Sequence, residues 1–302
     1  MIDPLRDVPP EVTVVEVGPR DGLQNETAAI DIAGRIALVD DLSAADLPVI
    51  EAGAFVSPRW VPQMADSAAV LSGITPRPGA RYPVLVPNLK GFEAALAAGA
   101  KEVSIFAAAS ETFSCKNINA SIEESFERFR LVLQAARARR IPVRGYVSCV
   151  LGCPYEGTIA PGAVADVAGR LLEMGCFEIA LGDTIGVGNP LSTSDLLHAV
   201  ASVTPLSYVA AHFHDTYGQA LANVLVALEQ GCATIDAAVG GLGGCPYARG
   251  ASGNLATEDL LYMLDGMGVR TGVDLDAVIR IGQTICARLG KAPASKLALA
   301  RR

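Results

Sequence analysis

Positive charge is scarce in this chain of 302 residues, which has 24 Lys and Arg against 32 Asp and Glu and a formal net charge of −8. Proteins that bind nucleic acid present a basic face to the phosphates, so this balance argues against nucleic acid as a partner. The chain also has no apolar run of the roughly 20 residues that a transmembrane helix needs. We therefore predict a protein that binds neither nucleic acid nor a membrane.

Paired cysteines and a secretory signal are missing as well. The seven cysteines are odd in number and include no Cys-x-x-Cys spacing, which argues against a disulfide framework. Residues 1–17 contain no basic segment followed by an apolar one, so they lack the pattern of a signal peptide. We expect reduced thiols and a cytoplasmic protein.

Aliphatic residues are abundant, and they recur in short β-branched runs. Hydrophobic residues make up 51% of the chain and aromatic residues only 5%, a composition that suits closely packed helices and strands. Each run is followed by a stretch with helical spacing, such as 121–140 and 161–175. The eight predicted strands are 12–17, 48–53, 82–87, 102–108, 143–150, 177–183, 207–214 and 234–241.

The alternation of strands and helices predicts the fold class. Such units pair in parallel through right-handed crossovers, and eight of them indicate an α/β fold, a closed (β/α)8 TIM barrel. An open doubly wound sheet would need a Gly-x-Gly-x-x-Gly turn after the first strand, where the sequence is VGPRDGLQNE. We predict one domain over residues 1–302, with the barrel at about 12–270 and an additional C-terminal helical segment at about 274–290.

Polar residues follow the predicted strands at their carboxyl ends, where barrels of this type carry their chemistry. They come from separate parts of the sequence, and the fold would gather them at one rim. This convergence is stronger evidence for a site than any single residue. The residues are Arg20 and Asp21 after the first strand, Glu51 on the second, Asp183 on the sixth, His212 and His214 on the seventh, and Cys245, Arg249 and Asn254 after the eighth.

Two of the three histidines in the chain stand one residue apart, in the stretch HFHDTYGQ. Residues i and i+2 of a strand point to the same face, so His212 and His214 should both face the barrel mouth, above Tyr208 and Ala210. Two neighbouring imidazoles inside a core favour a shared metal ion, because neutral imidazole is a good ligand. The alternative is a hydrogen-bonded pair of core histidines.

Two further ligands are available for such an ion. Asp21 offers a carboxylate from the neighbouring first strand, and Asn254 offers an amide oxygen from the loop after the eighth. Two nitrogens and two oxygens suit an octahedral divalent ion better than a tetrahedral zinc, so we predict Mg²⁺ or Mn²⁺, with Zn²⁺ or Co²⁺ able to substitute. The alternatives are a turn acid for Asp21 and a turn or helix-capping role for Asn254.

Arg20 and the glycine-rich loop at 240–253 complete the predicted site. Glu51 is the expected partner of Arg20, and it would leave other guanidinium N–H groups to face an oxyanion; a surface salt bridge is the alternative. The loop has six glycines in fourteen residues and would act as a lid that carries Cys245 as a proton donor or acceptor. A flexible connection is the alternative there.

Long blocks of the sequence resemble one known family. Residues 15–26, 55–66, 212–223 and 240–260 are similar to the 3-hydroxy-3-methylglutaryl-CoA lyases, and further similar blocks lie between them in the same order. The resemblance implies a metal-dependent retro-Claisen barrel enzyme. Such an enzyme cleaves 3-hydroxy-3-methylglutaryl-CoA to acetyl-CoA and acetoacetate, in leucine degradation and ketone-body formation.

The resemblance also implies roles for particular residues. The substrate would be a 3-hydroxyacyl-CoA, bound by a homo-oligomer, either a dimer or a tetramer. The metal ligands would be Asp21, His212, His214 and Asn254; the catalytic residues would be Arg20, Glu51, His212 and Cys245; and the substrate-facing residues would include Arg20, Gln24 and Asp183. For the CoA moiety we expect a local positive patch drawn from Lys90, Lys116, Asn117 and Arg249.

Three alternatives stay open at the level of sequence. A Schiff-base aldolase on the same fold would use Lys90, beside the third strand. A lyase for a longer-chain analogue, such as an isohexenylglutaryl-CoA, would benefit from the small side chains at 52–54. A barrel with a scaffolding role would not need an arginine, an aspartate, a cysteine and histidines at one rim.

Overall fold

The computed structural model describes residues 8–244 and 253–301. Within these residues all paired strands run parallel, in the order β2-β1-β9-β8-β7-β6-β5-β4-β3. The strands are β1 Thr13–Glu16, β2 Val49–Ile50, β3 Gly53–Ala54, β4 Val84–Leu85, β5 Val103–Ala108, β6 Val143–Ser148, β7 Glu178–Asp183, β8 Val209–Phe213 and β9 Thr234–Ala237.

The sheet closes on itself because its two outer members, β2 and β3, are parts of one segment, which begins in the predicted strand 48–53 and ends one residue beyond it. β2 pairs with β1, and β3 pairs with β4. Between them the Glu51 N–H donates to the Glu16 carbonyl at 2.9 Å, and the Ala52 N–H donates to the Pro83 carbonyl at 2.9 Å. Within this segment the chain therefore passes from pairing with β1 to pairing with β4, which closes the ring. The predicted (β/α)8 barrel is confirmed.

Helices surround the barrel. α6 begins with Pro161 in its first turn and ends at Gly175 with φ 111°, a conformation that glycine adopts without strain. A capping box formed by Ser121 and Glu124 starts α5. The helices are α1 Ile32–Ala44, α2 Ser67–Gly73, α3 Leu89–Ala97, α4 Glu111–Ile118, α5 Ile122–Arg139, α6 Pro161–Met174, α7 Pro190–Ala201, α8 Ala220–Glu229, α9 Thr257–Gly266, α10 Leu275–Arg288 and α11 Lys296–Ala300.

The predicted C-terminal segment is confirmed as α10, which packs against α1, α9 and the short turn Val239–Gly241 after β9. The short helix α11 follows it and had no clear signal in the sequence. In the described ranges, no helix combines the length and apolar character that crossing a lipid bilayer requires.

One expectation about the barrel interior is wrong. The predicted strand 207–214 starts only at Val209, where pairing with Ile179 of β7 begins. Leu206–Tyr208 form a 3₁₀ turn after Pro205, and 51% of Tyr208 is exposed. Tyr208 therefore does not lie beneath the two histidines, whereas Ala210 is fully buried as predicted.

Two buried glutamates fasten the loops that follow β1 and β9. Glu16 accepts hydrogen bonds from the Gly18 and Val239 N–H groups and from the Thr257 hydroxyl. Glu258 accepts from the Gly240 N–H, with both oxygens within 3.0 Å. Burial raises the pKa of Glu16 to about 7 and the pKa of Glu258 to about 8.

These two glutamates should make the folded state less stable at alkaline pH. A carboxyl whose pKa is raised by folding binds more protons in the folded state, so its contribution to stability is lost as pH rises from about 4.5 towards 8. Glu258→Gln cannot titrate, and its loss in free energy of unfolding between pH 6 and 9 should be smaller than that of the wild type by on the order of 2 kcal/mol. Urea unfolding at both pH values measures this difference. The exposed Glu173→Gln on α6 should keep the wild-type pH dependence, and equal losses in all three proteins would contradict the prediction.

Candidate active site

The residues with metal-binding side chains meet at the carboxyl ends of β1 and β8. Asp21 lies in a π-helical turn, Gly18–Gly22, directly after β1. His212 lies on β8 and His214 just beyond it; both are buried, and their ring centroids are 5.6 Å apart. Single ligand atoms of Asp21, His212 and His214 all lie within 4.8 Å of one another.

The protonation of these groups suits a cation. Burial lowers the pKa of His214 to about 4, and the neighbouring His212 adds to this effect, so His214 is neutral at neutral pH. Burial alone would raise the pKa of Asp21, but the charge of Arg20 and the two imidazoles outweigh it and hold that pKa well below its usual range. The buried Nδ1 of His214 makes no hydrogen bond of normal geometry within the described residues. A carboxylate and two imidazoles therefore converge with lone pairs that remain available as metal ligands, and they fit a divalent ion.

Asn254 lies beside this cluster, as the sequence predicted. Its backbone forms an isolated antiparallel bridge with His214, and its Nδ2 donates to Asp21 Oδ2 at 2.8 Å and to the Leu242 carbonyl at 3.2 Å. The amide nitrogen, rather than the expected oxygen, therefore faces Asp21 here, and rotation of the amide would exchange the two. A helix-capping role is wrong, because α9 begins later, with Ala256 as its cap residue.

Arg20 is held on two sides by carboxylates. Its Nε donates to Glu51 Oε2 at 2.6 Å, and its Nη1 donates to Asp21 Oδ1 at 2.6 Å. The Ser104 hydroxyl fixes the other Glu51 oxygen at 2.7 Å. The side chain of Arg20 is only 7% exposed, so the surface salt bridge is wrong and the predicted pairing with Glu51 is confirmed. Neither contact uses Nη2.

The guanidinium of Arg20 stays charged although it is buried. Burial would lower the pKa of Arg20, but Glu51 and Asp21 raise it above the usual value. The Tyr146 ring centroid lies 5.4 Å from Arg20 Cζ, a cation–π distance, and the Tyr146 hydroxyl lies 3.4 Å from Glu51 Oε2. The alternation of Arg144 and Tyr146 in VRGYVS was the signal that could have identified Tyr146 as inward-facing.

A cavity of about 780 Å³ opens over the cluster, within the usual range for a small-molecule site. Gln24 lines it with a buried Oε1 that has no hydrogen-bond partner in the described part of the chain. Lys116, Asn117 and the exposed Trp60 line the same cavity. The apolar residues on its wall include Val56, Leu85, Phe106 and Val147.

The sequence family follows from a direct match. The family model described as HMGL-like covers residues 11–285, which is most of the chain and includes every residue of the site described above. The chain belongs to the HMGL-like family.

Curated relatives in this family are lyases of similar length. The mitochondrial hydroxymethylglutaryl-CoA lyase of Rattus norvegicus is 62% identical over 97% of this chain and 90% of its own length. The 3-hydroxy-3-isohexenylglutaryl-CoA/hydroxy-methylglutaryl-CoA lyase of Pseudomonas aeruginosa is 60% identical over 97% of this chain and 98% of its own. The crystal structure of hydroxymethylglutaryl-CoA lyase from Pseudomonas aeruginosa superposes with a TM-score of 0.96, at 60% identity over 98% of both chains.

Some residues expected at the site of an HMGL-like enzyme are not among those that line the cavity. Asp183 is fully buried, and its two oxygens accept the N–H groups of Val187 and Gly188 at 3.2 and 2.8 Å; it is not among the lining residues. Burial raises the pKa of Asp183 to about 6. Lys90 is exposed in the first turn of α3 and does not line the cavity, so it lacks the desolvated position of a Schiff-base lysine.

Two further predicted residues, Cys245 and Arg249, lie outside the described residues. They stand in the sequence between Gly244 and Gly253, and Gly244 lines the cavity. Their predicted roles as a proton-transfer group and a CoA contact therefore stay predictions.

Proposed function

We propose that this protein is a metal-dependent carbon–carbon lyase that cleaves 3-hydroxy-3-methylglutaryl-CoA to acetyl-CoA and acetoacetate. The observation that carries the proposal is the position of Arg20, fixed by Glu51 and adjoining the Asp21–His212–His214 cluster at one cavity. The names of the curated relatives support the same reaction and an acyl-CoA substrate.

The chain's own ligands for the ion would be Asp21, His212, His214 and Asn254, and we infer Mg²⁺ or Mn²⁺ because oxygen ligands make up half of this set. A divalent cation held there supplies Lewis acidity, which lowers the pKa of a substrate hydroxyl and orients the bond to be broken. The small cluster leaves the rest of the cavity to the acyl-CoA.

Arg20 is placed to stabilise the negative charge that develops in the reaction. Breaking the bond between the carbinol carbon and the carbon next to the thioester leaves an electron pair on the latter, and the negative charge develops on the thioester oxygen. Nη2 of Arg20 is the donor left unused by Glu51 and Asp21. A donor that is already oriented stabilises such an enolate oxygen without reorganisation in the transition state.

The reaction also moves two protons. The substrate hydroxyl must lose one as the bond breaks, and the carbon of the departing acetyl group must gain one. The titratable residues predicted at this rim, Cys245, the site histidines and Asp183, are the candidates for these transfers. Both oxygens of Asp183 already accept backbone N–H groups, which favours the site histidines and Cys245.

Lys116 is the best placed cation for the CoA moiety. It lies in the last turn of α4 and lines the cavity, with its Nζ 3.8 Å from the centroid of the Tyr155 ring. Lys116→Glu should raise the KM for the acyl-CoA about tenfold, because charge reversal converts a weak attraction for phosphate into repulsion. The kcat should change less than about twofold, because in this proposal Lys116 contacts the CoA moiety and not the bond that breaks.

The matched control for Lys116 is Lys101→Glu. Lys101 is exposed and precedes β5, so it lies at the opposite end of the barrel from the cavity. Steady-state kinetics at several salt concentrations would measure both variants. Equal KM values for Lys116→Glu and the wild type would remove Lys116 from the CoA patch.

A longer acyl group is a second candidate substrate. The Pseudomonas aeruginosa relative is named for both isohexenylglutaryl-CoA and hydroxymethylglutaryl-CoA. The cavity has an apolar wall at Val56, Leu85 and Phe106 that could accept an alkenyl chain. The ratio of kcat/KM for the two substrates decides the preference, and no turnover of the isohexenyl compound would remove this candidate.

The proposal is tested by a coupled assay of the purified protein with 3-hydroxy-3-methylglutaryl-CoA. We expect acetyl-CoA and acetoacetate in equal amounts, loss of activity in EDTA, and recovery with Mg²⁺ or Mn²⁺. Activity that survives EDTA, together with borohydride trapping of the substrate on the protein, would replace the proposal by a Schiff-base mechanism. No turnover with any of these ions would refute it.

A further inference from the structure

Asp236, on β9, lies directly behind the cluster of metal-binding side chains. Its side chain is fully buried, and in the register between β8 and β9 it is the partner of His212. Oδ2 of Asp236 lies 3.0 Å from Nδ1 of His212. Asp236 is therefore not itself a member of the cluster, and it contacts the cluster through Nδ1 of His212.

Arg144 fixes the Asp236 carboxylate. Nη2 of Arg144 donates to Oδ1 of Asp236 at 2.7 Å, and Nη1 donates to Oδ2 at 2.9 Å. Arg144 is itself held from the other side, because its Nε donates to Glu178 Oε2 at 2.6 Å, and its Nη1 also donates to the Tyr146 hydroxyl at 2.9 Å. A two-bond arginine pair of this kind gives the carboxylate a fixed plane and leaves both of its oxygens as acceptors.

The contact with Asp236 determines which nitrogen of His212 carries the proton. An ionised carboxylate can only accept, so a neutral His212 must hold its proton on Nδ1 and present a lone pair on Nε2. Nε2 is the atom that faces the cluster, 3.9 Å from Oδ2 of Asp21. The Tyr146 ring meets the His212 ring edge-on, with centroids 5.8 Å apart, and limits its rotation.

We propose that Asp236 is a positioning residue of the metal site, which holds His212 in the tautomer whose Nε2 lone pair faces Asp21 and His214. The inference rests on the proposed function, because it requires that this cluster bind a divalent ion. A carboxylate behind a metal-bound imidazole orients the ring and strengthens it as a ligand, and loss of such a partner typically weakens metal binding about 10- to 100-fold.

A purely structural role for Asp236 would make it no more than a counter-ion for Arg144. Glu178 supplies the control for this alternative, because it pairs with the same guanidinium and also accepts the Thr234 hydroxyl, but it does not touch His212. Asp236→Asn keeps the volume of the side chain and offers a single acceptor oxygen to the two Arg144 nitrogens and His212. Glu178→Gln perturbs Arg144 and the contact with Thr234, and it leaves the pairs of Asp236 with Arg144 and His212 in place.

The first measurement is the affinity of the full-length protein for Mn²⁺, determined by titration with electron paramagnetic resonance. We expect the Kd of Asp236→Asn to rise at least about tenfold and that of Glu178→Gln to stay within about threefold of the wild type. Thermal unfolding of the metal-free proteins should show comparable losses for both variants. Equal Kd values for wild type and Asp236→Asn, or an equal rise in both variants, would overturn the inference.

The second measurement needs neither metal nor activity. Protein grown with ¹⁵N-labelled histidine has only three imidazoles to assign, and the variants His198→Ala and His214→Ala identify the signals of His212 by elimination. In metal-free wild type we expect His212 to be protonated on Nδ1, and in Asp236→Asn we expect a mixture of the two tautomers. Protonation on Nε2 in the wild type would overturn the inference, even if Asp236→Asn did not fold.

The two measurements separate this inference from the proposed function. Wild-type protein that binds no Mn²⁺ would remove the metal site, and with it the proposed function, whatever the tautomer of His212. Wild-type protein that binds Mn²⁺ with a tautomer insensitive to Asp236 would leave the proposed function intact and remove only the role of Asp236.

Discussion

Replacement of Arg20 by methionine should lower kcat by about 10²- to 10³-fold and leave the KM for the acyl-CoA nearly unchanged. In the proposed reaction, Nη2 of Arg20 would meet full negative charge only when the thioester becomes an enolate, so the interaction would be stronger in the transition state than with the bound substrate. Rapid-quench measurement of a single turnover would show whether the loss lies in the bond-breaking step.

Methionine at position 20 also leaves Glu51 buried without its cation, although Ser104 and Tyr146 still contact that carboxylate. Some loss of stability is therefore expected together with the loss of rate. The matched control is Arg35→Met, since Arg35 is equally buried but lies on α1, where it donates to the Ala65 carbonyl and to Ser67. Arg35→Met should lower the unfolding temperature and preserve kcat.

Near-normal turnover by Arg20→Met would contradict the enolate role. Arg20→Lys adds a finer test, because an ammonium group keeps the charge but cannot contact Glu51 and Asp21 from opposite sides as the planar guanidinium does. We expect Arg20→Lys to be closer in kcat to Arg20→Met than to the wild type. Recovery of full activity with lysine would mean that charge alone is sufficient.

Removal of His214 should weaken the binding of Mn²⁺ by at least about 100-fold, more than the loss of a residue that only supports a ligand. His214→Ala removes a buried imidazole that is neutral at neutral pH, since its pKa is lowered to about 4, and it leaves Asp21 and His212 as the nearest donors. Isothermal titration with Mn²⁺ measures the change directly, and kcat at saturating Mn²⁺ shows what activity remains.

The third histidine of the chain provides the control for this change. His198 lies in the last turn of α7, on the outside of the barrel, where its Nδ1 contacts the Ser194 carbonyl at 2.7 Å. His198→Ala should bind Mn²⁺ as the wild type does. If His214→Ala kept wild-type affinity for Mn²⁺, the ion would have to bind elsewhere and the assignment of the cluster would fail.

The sequence alone was sufficient to predict which residues of a single strand face the barrel interior. The two-residue spacing of His212 and His214 placed both rings on one side, and the barrel rule brought Asp21 and Arg20 to the same rim. Both inferences use only local geometry and the direction of parallel strands. The structure agrees with them because neither depends on how neighbouring strands are shifted along one another.

The ion pairs of Arg144 with Glu178 and Asp236, behind the metal-binding side chains, could not be predicted in the same way. Arg144 meets Glu178 because these residues are partners across β6 and β7, and Asp236 meets His212 because they are partners across β8 and β9. Each pairing depends on inter-strand register, which spacing within one strand does not determine. For the same reason an acid within TIDAAV had no visible partner in the sequence.

Other errors in the predicted positions of residues arose at the ends of strands and helices. They did not arise from the prediction of which face a residue occupies. Tyr208 fell outside its predicted strand because Pro205 begins a 3₁₀ turn, and Lys90 was placed near the third strand although it lies on the exposed side of a helical turn. Asp183 does end a strand, but the next loop folds back and uses its oxygens. Loop conformation determined these outcomes, and it leaves a weaker trace in sequence than periodicity does.

Glu51 lies where the chain passes from pairing with β1 to pairing with β4. The residue that orients Arg20 therefore also lies at the point where the barrel closes. Its N–H group bonds to β1, while its side chain reaches Ser104 on β5 and Arg20 in the turn after β1. Orientation of the guanidinium therefore depends on a residue that is held in place by the closed ring. A chain in which the ring had not closed would lack the oriented Glu51, so we expect turnover to return during refolding only when the whole barrel has formed.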